Sequence, residues 1–176
     1  MLELEGELPE VYLSPGELFL AREPAIIRTI LGSCVGVTFW RGRLGVGALC
    51  HSLLPRCPAN SSGTVSRATG QRYVDFCIRY LARQFDELGA IRTQVQVKLF
   101  GGADVLPVNS TPTSKPTVGK LNCEAAIEIA RSEGFEVAAS SLGGTCGLNI
   151  KFNSRTGEVL LRRLPRVLFE EINGGE

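Results

Sequence analysis

The chain has 176 residues, of which 44% are hydrophobic and 21% are charged, and its formal net charge is +1 at pH 7. This composition predicts one globular domain over residues 1–176 and excludes a disordered or fibrous chain. The balanced charge offers no general attraction to nucleic acid or to an anionic membrane. The acidic start of the chain lacks the features of a secretory signal, and no apolar run is long enough to cross a membrane. We therefore expect a cytoplasmic protein whose cysteines are reduced.

Strands and helices are predicted in chain order from the periodicity of the apolar residues. Short runs rich in β-branched residues mark strand candidates at 25–31, 34–40, 44–50, 93–100, 135–140, 147–152 and 157–163. Helical patterns at 72–88 and 120–133 place apolar residues three and four positions apart, and Gly134 stands where a glycine would end the second helix. Between these elements, 55–70 and 101–119 have the composition of long loops, which are usually functional or mobile.

The second and third strand candidates form a predicted hairpin around Gly42 and Arg43. A two-residue turn of type II′ prefers glycine at its first central position, and this turn would put Cys34 directly opposite His51, the only histidine of the chain. Because side chains alternate across a strand, one face is apolar and packs on the core, while the opposite, open face carries Cys34 and His51. A longer turn, or a bulge that sends the two side chains to opposite faces, is equally compatible with these residues.

A cysteine beside a histidine is typical of nucleophilic catalysis. The imidazole accepts the proton of the thiol or, as imidazolium, lowers the pKa of the thiol. Gly32 allows a sharp turn, so that the backbone amides of Ser33 and Cys34 can hold a developing oxyanion. Thr29, on the strand that leads into this turn, is the candidate that orients the imidazole of His51. This arrangement is suited to acyl transfer from an amide or an ester.

The same residues also have structural interpretations, because cysteines are often buried and a lone histidine is often a core residue with satisfied hydrogen bonds. A zinc site is a further alternative, although the spacing lacks the close cysteine pairs of structural zinc. Its ligands would be Cys34, Cys50, His51 and Cys57. Cys146, in a glycine-rich turn, is the best alternative nucleophile. No motif predicts a nucleotide site, and we expect neither a metal nor a cofactor.

Five segments carry a resemblance to a known family. They are TILGSCVGV (29–37), GALCHSLLP (47–55), KLFGGADV (98–105), VGKLN (118–122) and LGGTCGLNIKFNSRTGEVLLRR (142–163). In this order they resemble the chemoreceptor glutamine deamidase family, CheD, whose members carry LGSCV followed by H-x-x-LP at the spacing seen here. The resemblance covers roughly residues 10–165.

The resemblance implies a layered α/β sandwich of mixed β-sheet with flanking helices, similar to toxin-type cysteine deamidases. It implies an enzyme that hydrolyses glutamine side-chain amides on chemotaxis receptors to glutamate and ammonia. By the family's motifs, Cys34 would form a thioester, and His51 would act as general base and then as general acid. The family's third residue is a threonine five or six positions before the cysteine, so Thr29 is preferred and Arg28 is the other candidate. The implied partners are the receptors and a CheC-like phosphatase, and we expect the loop at 55–70 beside the cleft.

The chain departs from the family at three positions. Cys50 replaces the asparagine that often precedes the histidine, and Leu121 and Leu148 stand where the family favours arginine. The loss of two arginines predicts either altered receptor recognition or weak deamidase activity. The alternative function is therefore a catalytically weak module that acts by binding CheC or receptors.

Overall fold

Nine strands form two mixed sheets in the computed structural model, which describes residues 7–58, 65–105 and 115–165. The strands are β1 (Glu10–Tyr12), β2 (Leu18–Ala21), β3 (Ile26–Leu31), β4 (Val35–Arg41), β5 (Val46–Ser52), β6 (Gln96–Gly101), β7 (Val137–Leu142), β8 (Gly147–Asn153) and β9 (Val159–Leu164). The four-stranded sheet has the order β1-β3-β8-β9, and the five-stranded sheet has the order β2-β5-β4-β6-β7. Each sheet contains one parallel pair, β1 with β3 and β6 with β7.

Two long helices cover one face of the five-stranded sheet. The helices are α1 (Arg67–Gly70), α2 (Val74–Glu87) and α3 (Val118–Ser132), and single turns of 3₁₀-helix lie at Gly42–Leu44 and Arg92–Gln94. The apolar stripe predicted for the first long helix is buried in α2, where Phe85 packs with its ring centroid 5.7 Å from that of Phe39 on β4. The ring of Phe135, just after α3, lies 5.1 Å from Phe39 in an edge-to-face contact. Gly134 follows α3 with a φ of 80°, as the sequence predicts.

The opposite face of the five-stranded sheet packs against the four-stranded sheet. Leu49 and Phe100 from the five-stranded sheet join Ile27, Ile150 and Phe152 from the four-stranded sheet in a second buried core. The layers are therefore helices, five-stranded sheet and four-stranded sheet, which confirms the expected α/β sandwich of mixed sheets with flanking helices.

The hairpin of β4 and β5 has a longer turn than the sequence predicts. The turn spans Gly42 to Gly45, where Gly45 has a φ of 64° and donates its N–H to the carbonyl of Gly42, so the predicted two-residue turn is wrong. The register moves by two residues as a result, and Gly36 rather than Cys34 lies directly opposite His51. Because the shift is even, the predicted apolar face still packs on the helices. The predicted exposure of the opposite face is also wrong. The second core covers this face, and His51 is only 2% exposed.

Each of the predicted strands and both long helices correspond to an observed element. The sequence analysis missed β1 and β2, which have only three and four residues. Parts of the two predicted loops, at 59–64 and 106–114, lie outside the described residues. In the part of the chain that the structure describes, no helix is long and apolar enough to cross a membrane.

Gly101 and Gly102 at the end of β6 lie against the segment that carries Cys34. Both have a positive φ, 96° and 68°, and the N–H of Gly102 donates to the carbonyl of Cys34 at 2.8 Å. A Cβ atom on Gly101 would lie 2.2 Å from that same carbonyl oxygen. Glycine is therefore required here both for the backbone conformation and for the close approach.

We predict that Gly101→Ala destabilises the protein more than Gly89→Ala. Gly89 also has a positive φ, 79°, but a Cβ atom there would meet nothing within 4 Å. The control substitution should therefore lower the free energy of unfolding by about 1–2 kcal/mol, the cost of a left-handed backbone alone. Gly101→Ala should cost about 1–3 kcal/mol more, because crowding adds to that cost. Urea unfolding of both variants measures the difference, and equal losses would contradict the close approach to Cys34.

Candidate active site

Cys34 lies in the short connection between β3 and β4, next to the second core. Its neighbour Gly32 accepts a hydrogen bond from the N–H of Ala103 at 2.8 Å, and Cys34 accepts one from Gly102. These two bonds fix the connection to the end of β6. The residue is half-buried and packs against the core between the sheets. Its thiol therefore lies at the edge of the same layer that contains His51.

His51 lies on β5 and is held on both sides of its backbone. Its N–H donates to the carbonyl of Glu17 at 2.9 Å, and its carbonyl accepts from the N–H of Gly16 at 2.8 Å. On the other side of β5, His51 is paired with Gly36 of β4. Cys34 is two positions before Gly36, in the connection that leads into β4. The two residues therefore lie toward the same end of the five-stranded sheet, and they do not form the directly opposed pair that the sequence predicts.

Thr29 on β3 contacts the imidazole of His51. The Thr29 Oγ1 atom lies 2.7 Å from Nδ1 of His51 and donates a hydrogen bond to the carbonyl of Leu13 at 2.8 Å. A hydroxyl group has one proton, and the Leu13 carbonyl takes it. Nδ1 must therefore be the protonated nitrogen that donates to Thr29. The unprotonated nitrogen is Nε2, which is buried and has no hydrogen-bond partner among the described residues.

Arg28, the other candidate for this position, lies on the opposite face of β3. Its side chain is exposed and forms an ion pair with Glu10 at 3.0 Å. Thr29 is completely buried. Because adjacent residues of a strand face opposite ways, only one of the two can meet the imidazole, and it is Thr29.

Burial controls the protonation of the cysteine and the histidine. It raises the pKa of the Cys34 thiol above its ordinary value, and it lowers the pKa of His51 to about 4. Desolvation is the largest cause in both cases, because each charged form loses contact with water. The resting forms of the two groups are therefore a neutral thiol and a neutral imidazole. Of the two routes that the sequence left open, this state favours proton transfer to the imidazole during attack over a preformed thiolate.

The turn that carries Cys34 leaves two backbone donors available. Among the described residues, no carbonyl oxygen takes the N–H of Ser33 or of Cys34, and the N–H of Cys34 lies against its own sulfur, whereas the carbonyls of Gly32, Ser33 and Cys34 are all hydrogen-bonded. Gly32 does not use a left-handed backbone. The available donors are compatible with the oxyanion role that the sequence assigns to Ser33 and Cys34.

Of the other cysteines, Cys123 on α3 contacts the carbonyls of Gly101 and Gly102, the segment that holds Cys34. Cys50 is completely buried on the helix-facing side of the five-stranded sheet, as the sequence predicts, and all six cysteines are unpaired. Cys57 and Cys146 are partly exposed in connecting segments. Within residues 7–58, 65–105 and 115–165, no three histidine, cysteine, aspartate or glutamate side chains are grouped closely enough to hold a metal ion.

Two residues near the site have no role in the sequence-based predictions. Leu13 contributes a backbone carbonyl, which no sequence pattern can identify. Asn122 on α3 is completely buried and donates its side-chain amide to the carbonyls of Ser33 and Leu53. It lies three positions before Ala125 on the buried face of α3, so the helical periodicity already places a polar side chain inside the protein. Its Oδ1 atom has no partner among the described residues, and such a buried acceptor costs about 1–3 kcal/mol.

Comparison with known proteins finds a matching family model and several similar proteins. A family model described as CheD chemotactic sensory transduction matches residues 53–163. A protein named probable chemoreceptor glutamine deamidase CheD 2, from Geobacter sulfurreducens, is 43% identical over 91% of this chain and 93% of its own length. A protein named probable chemoreceptor glutamine deamidase CheD, from Rhodospirillum rubrum, is 34% identical over 96% of this chain and 90% of its own length. The solved structure of the hypothetical protein YfiH from Bacillus licheniformis is 10% identical with a TM-score of 0.47, over 70% of this chain and 49% of YfiH.

We predict that the stability of the protein falls as the pH decreases from 6.5 to 4, and that His51 accounts for part of the loss. The pKa of His51 is lower in the folded chain than its ordinary value, so in this interval the unfolded chain binds a proton that the folded chain does not. The contribution is fully present above pH 6.5 and decreases by roughly 3 kcal/mol on acidification to pH 4.

His51→Asn provides the control, because it removes the only histidine of the chain. Urea unfolding at pH 4, 5, 6 and 7 measures the free energy of unfolding of both proteins. Subtracting the variant from the wild type removes the contribution of the carboxylates. A difference that does not change with pH would contradict the buried, neutral imidazole.

Proposed function

Because the chain belongs to the CheD family, we infer that it is a chemoreceptor glutamine deamidase, an enzyme that hydrolyses glutamine side-chain amides of chemotaxis receptors to glutamate and ammonia. The observation that supports the chemistry is the buried contact of Thr29 with Nδ1 of His51, which leaves Nε2 as the unprotonated, basic nitrogen of the imidazole. The alternative of a binding module without catalysis is not favoured, since the relatives are named as deamidases.

Cys34 is the nucleophile of the proposed reaction. Its sulfur forms a bond to the carboxamide carbon while its proton passes to Nε2 of His51. The carbonyl oxygen of the substrate gains negative charge, and the N–H groups of Ser33 and Cys34 stabilise it. The carbon–nitrogen bond then breaks, and the imidazolium returns its proton to the departing ammonia. The product of this half-reaction is a thioester on Cys34.

Water completes the reaction. The neutral imidazole takes a proton from the water as its oxygen attacks the thioester carbon. The carbon–sulfur bond breaks, and the proton returns to the sulfur. The result is a glutamate side chain and a free thiol, so the reaction consumes one water and needs no cofactor. Thr29 keeps the imidazole in one tautomer throughout, because its own proton is held by the carbonyl of Leu13.

The substrate of this reaction is the side chain of a folded protein. A receptor glutamine must be exposed for its amide to reach the half-buried Cys34, and we expect the segment at 55–70 to help bind the receptor beside the site. A CheC-like phosphatase as a regulatory partner, and a cytoplasmic location, belong to the same proposal. Leu148 is buried in the second core, and Leu121 is half-buried on α3, so neither provides the charge that arginine supplies in the family.

We predict that Cys34→Ala abolishes deamidation, while Cys146→Ala retains it. Both substitutions remove one partly exposed thiol, but only Cys34 lies in the connection into β4, the strand that pairs with the strand of His51. Mass spectrometry of cytoplasmic receptor fragments, before and after incubation, detects the conversion of glutamine to glutamate. Conversion by Cys34→Ala would contradict the assignment. A wild-type protein that binds a CheC-like phosphatase but converts no receptor glutamine would favour the binding module.

We also predict that Thr29→Val lowers kcat by roughly 10- to 100-fold, because the imidazole loses the group that orients it. Thr29→Ser keeps the hydroxyl and should retain most of the activity. The two variants separate the effect of the hydrogen bond on the rate from the effect of packing, because valine has a shape similar to threonine but lacks its oxygen. Deamidation rates at saturating receptor fragment provide the measurement. Equal activity of the two variants would refute the orienting role of Thr29.

A further inference from the structure

We propose that Asn122 is a positioning residue of the deamidation reaction, which holds the Cys34 connection and the end of the His51 strand at a fixed separation. The inference rests on the proposed function. By this inference, α3 directly influences the relative positions of Cys34 and His51, although it carries neither residue.

The side-chain amide of Asn122 joins the two halves of the site. Its Nδ2 atom lies 2.9 Å from the carbonyl oxygen of Ser33 and 2.9 Å from that of Leu53. Ser33 immediately precedes Cys34, and Leu53 follows His51 by two positions. An amide nitrogen has two protons, and both are used here. The orientation of the amide is determined by these contacts, because a flipped amide would place its oxygen against two carbonyl oxygens.

This bridge lies where the strand pairing ends. The ladder between β4 and β5 ends with the pair of Val35 and Ser52, so no ladder bond continues to the next residues on either strand. Asn122 connects Ser33 and Leu53 just beyond that point. Among the described residues, Asn122 is therefore the side chain that joins these two segments beyond the ladder, while Gly102 and Ala103 hold the Cys34 connection to the end of β6. Because proton transfer requires the sulfur and Nε2 to approach closely, a small change in this separation lowers the rate.

We predict that Asn122→Ala lowers kcat by about 100-fold with little change in KM, as expected for a misplacement near 1 Å. Asn149→Ala is the matched control, because Asn149 lies on β8 with its side chain on the face away from the second core. Deamidation of a receptor fragment is measured over a range of substrate concentrations. Retention of kcat within about threefold by a folded Asn122→Ala would overturn the proposal.

Asn122→Asp supplies a readout that a purely structural role would not change. Its ionised carboxylate repels the two carbonyls, whereas its protonated form can donate one hydrogen bond. The ratio of kcat for this variant to kcat for the wild type should therefore rise as the pH decreases from 8 to 5. The same ratio for Asn122→Ala should not change. Because aspartate has the size of asparagine, Asn122→Asp tests the positioning role even if the alanine variant does not fold. A ratio of kcat values that does not change with pH would overturn the proposal.

The two proposals fail in different ways. If the wild type converts no receptor glutamine, or if conversion does not depend on Cys34, the proposed function is wrong. If conversion depends on Cys34 and is unaffected by both substitutions of Asn122, only the positioning role is wrong.

Discussion

The candidate site depends on one hydrogen bond that crosses the interface between the two sheets. Thr29 belongs to β3 of the four-stranded sheet, and His51 belongs to β5 of the five-stranded sheet. Both residues are buried between the packed sheets, so water cannot replace either partner while the sheets remain together. Leaving a buried polar group without its partner costs about 1–3 kcal/mol. The packing of the sandwich and the orientation of the imidazole therefore support each other.

The same burial determines the protonation states on which the proposed chemistry of Cys34 and His51 depends. An imidazole in this layer has a pKa of about 4, and it is therefore a neutral acceptor at physiological pH. Burial also disfavours the thiolate of Cys34. A resting enzyme with a neutral thiol is less exposed to oxidation and alkylation than one with a thiolate, because the thiolate is the reactive form. In the proposed mechanism, the thiolate forms only when a substrate carbonyl is present for it to attack.

The sequence predicted much of this arrangement, and its errors have physical reasons. The strands were identified because their apolar residues alternate or form short runs, while β1 and β2 are too short for either pattern. The turn was predicted from Gly42, yet the left-handed residue that closes it is Gly45. This error moved the register by an even number, so Cys34 and His51 kept their common face. The strands that cover that face are β3 and β8. Because they are far apart in the sequence, no local pattern predicts that they pair.

The catalytic roles were predicted from residue types, but the contacts that fix the geometry come from backbone atoms and from α3. Three glycines bring that helix close to the site. A Cβ atom on Gly119 would lie 2.6 Å from the carbonyl oxygen of Gly102, and one on Gly102 would lie 2.1 Å from the sulfur of Cys123. Gly101 in turn lies against the carbonyl of Cys34. With larger residues at these positions, α3 would lie farther away, and the short side chain of Asn122 would not reach the carbonyl of Ser33.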